Sequence, residues 1–139
     1  MELESGVSAF EAKHFARAMQ LLSPLSEQGN AEAQYRVAIM YQNGLGVVRN
    51  EVLAFKWMKA AAEQENSLAQ HGLGFMYMEG DCIDQNGDKA MYWFTLAAEQ
   101  GLAGSQTTLA MMYEQGLAGI EPNPDLARKW YRRAGFTDK

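Results

Sequence analysis

The chain has 139 residues, enough for one domain with a continuous core, and 47% of them are apolar, which excludes a disordered chain. Its net charge of −5 argues against nucleic acid and against an anionic membrane surface as the main partner, because both require a basic face. No run approaches the ~18 apolar residues of a spanning helix, and Cys82 is the only cysteine, so no internal disulfide can form.

At the start, Met1-Glu2-Leu3-Glu4 is acidic and lacks the basic start and apolar run of a signal peptide. The sequence as it stands therefore reads as cytoplasmic, or as periplasmic or secreted if a leader has been removed. Residues 1–30 read as a degenerate unit of a repeat array. Ala18, Leu21, Leu25 and Gly29 precede Ala54, Trp57, Ala61 and Glu65 by 36 positions each, which predicts a helix from about His14 to Gln28. Phe10 and Phe15 flank the turn before it. Pro24 inside it is expected to kink the helix or lengthen its local hydrogen bonds, and Leu21 stands where later units have tryptophan.

From residue 31 the step of 36 is regular: Tyr41, Tyr77 and Tyr113, then Gly44, Gly80 and Gly116, then Trp57, Trp93 and Trp130. A fixed period of this size means stacked helix pairs whose core lies between neighbouring units. The units are 31–66, 67–102 and 103–139, within a single repeat domain spanning 1–139. The third gains one residue near Gly119, since Tyr113 to Trp130 spans 17 positions where Tyr41 to Trp57 spans 16.

The first helix of each unit, helix A, is predicted over 31–43, 67–79 and 103–115. Gln34, Val37, Ala38 and Tyr41 recur at steps of three and four, the spacing of one helical face. Ala38, Gly74 and Ala110 are small enough to let another helix approach. Gly44, Gly80 and Gly116 follow the last turn, where a residue of positive φ commonly stops a helix.

The second helix, helix B, starts after Asn50, Asn86 or Asn123, since asparagine is among the best N-caps. Pro124 fits the first helical position. Ala54, Trp57 and Ala61 lie on one face, and the repeated tryptophans are expected in the core, Trp57 and Trp93 most of all. Gly101 ends the second helix B. Glu65 is a poorer terminator in that slot, so Asn66 is expected to take the left-handed conformation there. The whole reads as seven or eight helices with no strand.

These residues carry a resemblance. Ala-Gln, Leu73-Gly74, the tyrosine, glycine, asparagine and tryptophan series, the loop Gly44-Leu45-Gly46-Val47, and the endings Ala60-Ala61-Ala62-Glu63-Gln64 and Ala97-Ala98-Glu99-Gln100-Gly101 resemble Sel1-like repeats. These are relatives of the tetratricopeptide repeat, whose period is 34. The resemblance covers about residues 31–135. Asp81-Cys82-Ile83 and Leu117-Ala118-Gly119-Ile120 depart from the first unit's loop and are expected to differ in shape. The resemblance implies an all-α, right-handed α/α superhelical solenoid with helix A lining a concave face, and a role as adaptor or scaffold. The cysteine pairs of one branch of such proteins are missing.

No catalytic constellation can be assembled, so no enzyme activity and no cofactor is expected. His14 and His71 lack metal-site spacing. Asp84-Gln85-Asn86-Gly87-Asp88 lacks the late bidentate glutamate of a calcium loop. Gly44-Leu45-Gly46 is a turn without the lysine of a phosphate cradle, and Cys82 reads as a loop thiol.

The candidate partner-binding residues are helix A positions that recur in place and vary in identity. They are Tyr35, Arg36, Ile39 and Gln42 in the first unit, His71, Phe75, Met78 and Glu79 in the second, and Thr107, Met111 and Glu114 in the third. Ile39, Phe75 and Met111 form an apolar set with a polar rim, suited to a protein or peptide partner. For Phe75 and Ile39, packing on the next helix A stays open as the alternative. A second possibility is a homo-oligomer through the C-terminal end, at Trp130, Tyr131, Arg132 and Phe136. An inhibitor or immunity partner of another protein is a narrower form of the first.

Overall fold

The structure, a computed structural model, describes residues 2–136. Among them are eight α-helices: α1 (Glu2–Glu11), α2 (Phe15–Glu27), α3 (Ala31–Asn43), α4 (Glu51–Glu63), α5 (Ser67–Glu79), α6 (Gly87–Glu99), α7 (Ala103–Gln115) and α8 (Pro124–Arg133). A single 3-10 turn, Leu117–Gly119, precedes α8, and no strand occurs among the described residues. The helices group into two compact units, Met1–Ala69 and Gln70–Lys139, with the division inside α5.

One set of backbone signals, repeated, makes these helices. Helices α3, α5 and α7 stop where Gly44, Gly80 and Gly116 take left-handed φ of 67°, 71° and 69°. The chain then crosses a short loop. The asparagine that opens the next helix donates its own N–H back to the tyrosine carbonyl: Asn50 to Tyr41 at 2.9 Å, Asn86 to Tyr77 and Asn123 to Tyr113 at 2.8 Å. Its side-chain oxygen accepts from Leu53, Lys89 or Leu126 and so satisfies one free amide of the first turn.

The opposite ends are equally regular. After α2, α4, α6 and α8 the chain turns through Gly29, Glu65, Gly101 and Gly135, all with positive φ. The following N–H bonds back five residues, as in Asn30 to the Leu25 carbonyl and Leu102 to that of Ala97. Contrary to expectation, Glu65 takes the left-handed conformation (φ 67°). Asn66 instead caps α5, its side chain accepting from the Ala69 amide at 2.9 Å. Asn30 caps α3 in the same way, whereas Leu102 at the start of α7 offers no side-chain cap.

The divergent loops keep one feature of shape. Gly46, Cys82 and Ala118 all adopt positive φ, at 71°, 70° and 54°. Glycine is needed at 46, because a Cβ there would lie 2.5 Å from the Phe15 carbonyl carbon. The inserted residue of the third repeat is absorbed by the 3-10 turn and by Gly119.

Within Met1–Ala69, α1, α2, α3 and α4 pack in succession around Ala18, Leu22, Val37, Met40, Ala54 and Met58. Leu22, not Leu21, fills the core, and α2 continues through Pro24 to Glu27. Phe10 and Phe15 meet edge to face across the α1–α2 turn, with ring centroids 5.5 Å apart. Within Gln70–Lys139 the core holds Leu73, Met76, Phe94, Leu109, Met112 and Trp130. Trp57 and Trp130 are buried, but Trp93 is only half-buried, a correction to its expected place in the core. Lysine and arginine heads close over the two buried rings: Lys56 on Trp57, and Lys129 and Arg133 on Trp130. Trp93 has Tyr92 edge-on at 5.1 Å.

The recurrent Ala-Gln glutamine has a structural task. Buried Gln34 donates to the Ser26 carbonyl (3.1 Å) and accepts from Gln64 (2.8 Å), so it ties the ends of α2 and α4 together through α3. In the other unit Gln106 donates to the Ala98 carbonyl and Gln70 accepts from Gln100. A buried amide with both ends satisfied adds specificity without the cost of an orphaned polar group.

Candidate functional site

The varied positions of helix A, Met78 excepted, are half-buried or exposed, whereas the repeated glutamine is buried, and each unit has its own set. In Met1–Ala69 the set lies on α3. Tyr35, Ile39 and Gln42 are half-buried. Burial raises the Tyr35 hydroxyl pKa, partly countered by neighbouring Arg36. Arg36 is more enclosed than a rim residue should be. Its guanidinium holds Glu32 at 3.1 Å and lies 4.9 Å over the Phe10 ring, so it ties α3 to α1.

In Gln70–Lys139 the set lies on α5 and α7. The two helices meet near their N-terminal ends, where His71 Nδ1 stands 2.6 Å from the Oγ of fully buried Ser105. Three rings cluster there: His71 on Phe75 at 5.0 Å, His71 on Phe94 at 5.3 Å and Phe75 on Phe94 at 5.4 Å, all edge-on. This enclosure lowers the His71 pKa, because burial disfavours the charged ring. Phe94 is the support that sequence reasoning missed. The signal was present one residue after each tryptophan position, where Met58, Phe94 and Tyr131 are all large.

Phe75 and Met111 occupy the same position of their helices, and each is 38% exposed. Phe75 thus has one edge in the ring cluster and another in solvent. Thr107 is half-buried, its hydroxyl donating to the Ala103 carbonyl, while Glu79 and Glu114 are exposed. Met78 does not join this face. It is 8% exposed and belongs to the core, on the side of α5 that also carries buried Tyr77.

The C-terminal set divides likewise. Trp130 is 5% exposed and serves the core of its own unit, so it is not a free contact. Tyr131 donates to Glu114 at 3.0 Å and meets Phe136 edge-on at 5.5 Å. Burial, and then Glu114, raise the Tyr131 pKa. Phe136 is 54% exposed and Arg132 is exposed. Arg133 grips Glu99 at 3.1 and 3.3 Å and holds that carboxyl below its usual pKa.

No group of three or more metal-ligating side chains is gathered among the described residues. No helix there is long and apolar enough to cross a membrane.

This geometry recurs in known proteins. The chain aligns with a Sel1 repeat protein from Oxalobacter formigenes at 34% identity and TM-score 0.87, over 96% of this chain and 53% of that one. It aligns with a protective antigen present in uropathogenic Escherichia coli strains, displaying an SLR fold, at 34% identity and TM-score 0.88, over 96% of this chain and 29% of that one. The chain therefore spans about half of the first and under a third of the second. No curated protein matches it. The all-α solenoid of helix pairs is the fold class of these matched proteins, and such repeats are generally non-catalytic protein-interaction modules. The family model described as Sel1 repeat matches residues 31–66, 67–102 and 103–135, and the chain belongs to that family.

Proposed function

We propose that this protein is a non-enzymatic adaptor that holds a protein or peptide partner on the exposed face of its A helices. The observation that carries the reading is the exposure of Phe75 and Met111. Both sit in mid-helix, at the same position of the repeat, on helices whose neighbouring residues are buried. A half-sunk aromatic ring and a flexible thioether, bordered by polar side chains, are suited to anchoring a partner's apolar side chains. Ile39 holds the same position on α3. Tyr35 and Gln42 add polar reach there, whereas Arg36 acts on α1.

Affinity capture from the source organism's lysate tests this, comparing the wild type with Phe75→Asp/Met111→Asp. A protein held by the wild type and lost by the variant, at equal helicity, supports the reading. Equal capture by both overturns it.

A second reading is self-association through the C-terminal end. It is favoured by exposed Phe136 resting on Tyr131. A mass that rises with concentration and falls back in Phe136→Asp would support it, and a strict monomer would exclude it.

A further inference from the structure

The charges of the unit Gln70–Lys139 are segregated. Between residues 67 and 79, and between 103 and 115, there is no lysine or arginine, and the acids are Glu79 and Glu114. Glu79 lies one turn beyond Phe75 and Glu114 one turn beyond Met111, so each carboxylate neighbours its apolar anchor on the helix surface. Both stand at helix C-termini, where the backbone dipole is itself negative. The loop after α5 adds Asp81 and Asp84, and the segment after α7 adds Glu121. At the other end of the two helices the charge fades. His71 is held toward its neutral form, and Thr107 and Thr108 turn their hydroxyls onto their own helix.

Four of the described bases of this unit, on α6 and α8, have partners of their own. Lys89 lies over the Tyr77 ring, Arg128 pairs with Asp125, Lys129 covers Trp130, and Arg133 holds Glu99. The apolar step thus has a negative border on one side and no basic residue on its own two helices, the one printed partner of that border being the neutral Tyr131 hydroxyl on Glu114.

Resting on the adaptor reading above, we infer that the α5/α7 face takes a peptide segment with bulky apolar side chains followed by lysine or arginine. The apolar part would sit on Phe75 and Met111, and the basic part would point toward the loops. Charge complementarity then sets which segment binds and in which direction it lies.

Fluorescence anisotropy with two synthetic peptides tests this. Both carry the same fluorescein label and the same Leu-Phe-Leu core, one flanked by lysines and the other by glutamates. At low salt the lysine peptide should bind about five- to tenfold more tightly, as two exposed charge pairs would give. Added salt should narrow that gap. Glu79→Gln/Glu114→Gln should remove the preference, with helicity unchanged by circular dichroism. Phe75→Ser/Met111→Ser, which leaves the charge alone, should weaken both peptides together. Equal binding of the two peptides that is still lost in the serine variant overturns the charge inference and leaves the adaptor face standing. Binding of neither peptide, or binding indifferent to the serine variant, overturns both.

Discussion

Gly74 is a glycine because of Phe94. A Cβ at 74 would come within 2.9 Å of the Phe94 ring, whereas the same position in the other repeats carries Ala38 and Ala110. Alanine is the better helix former by about 1 kcal/mol. Gly74→Ala should nevertheless destabilise the protein by about 1–3 kcal/mol through overpacking. Urea unfolding checks this, and adding Phe94→Leu to the same chain should recover part of the loss. The need for a small residue at 74 was legible from the repeat. The need for the smallest one was not, because it depends on a ring from α6 that sequence spacing does not place.

His71 gives a second prediction at the scale of one residue. Its pKa in the folded protein lies below the ordinary value of about 6.5. Between the two values the unfolded chain binds more protons than the folded one, so stability rises with pH across that window. The His71 contribution should be complete above about pH 6.5 and decline as pH falls below it. His71→Gln should flatten that decline in thermal melts recorded from pH 7 to about pH 5. An identical slope in the variant would place the effect elsewhere.

At the scale of the element, helix positions were the most legible part. The three A helices occupy 31–43, 67–79 and 103–115, as the glycine and tyrosine steps predict. The caps of the B helices follow from their asparagines. The ends of the B helices were less legible, because Glu65 holds a left-handed residue's place without being a glycine. Asn66 is free for capping as a result. Glu65→Gly should stabilise the protein by about 0.5–1 kcal/mol, since the left-handed strain of a side chain is removed and part of that gain is lost to unfolded-chain entropy. Asn66→Ala should cost about 1 kcal/mol through loss of the α5 cap. Denaturant midpoints for the two variants should therefore move in opposite directions.

The tryptophans carry the same lesson at this scale. Their repetition with flanking alanines marks a packing position, and it holds for Trp57 and Trp130. What covers each ring is a neighbouring side chain, a lysine or arginine head for those two and Tyr92 beside Trp93, and that is decided outside the motif. Exposure on the A helices was hard to read for the same reason. Met78 and Met111 look alike in sequence, yet one is in the core and the other is open to solvent.

At the scale of the whole molecule, the fold class and the family were written in a period of 36 residues that recurs through ten or so positions. Family identity sets a general role in protein interaction. The particular face, and the chemistry it prefers, rest on Phe75, Met111, Glu79 and Glu114. The A-helix face is proposed to hold a partner through its two exposed apolar anchors. The most direct test is the dissociation constant of a captured partner for the wild type and for Phe75→Asp/Met111→Asp, with circular dichroism of both proteins. Unchanged helicity and a loss of affinity of about a hundredfold are expected, the size that follows when two central anchors are replaced by charges. Affinity within about threefold of the wild type, on an intact fold, would contradict it.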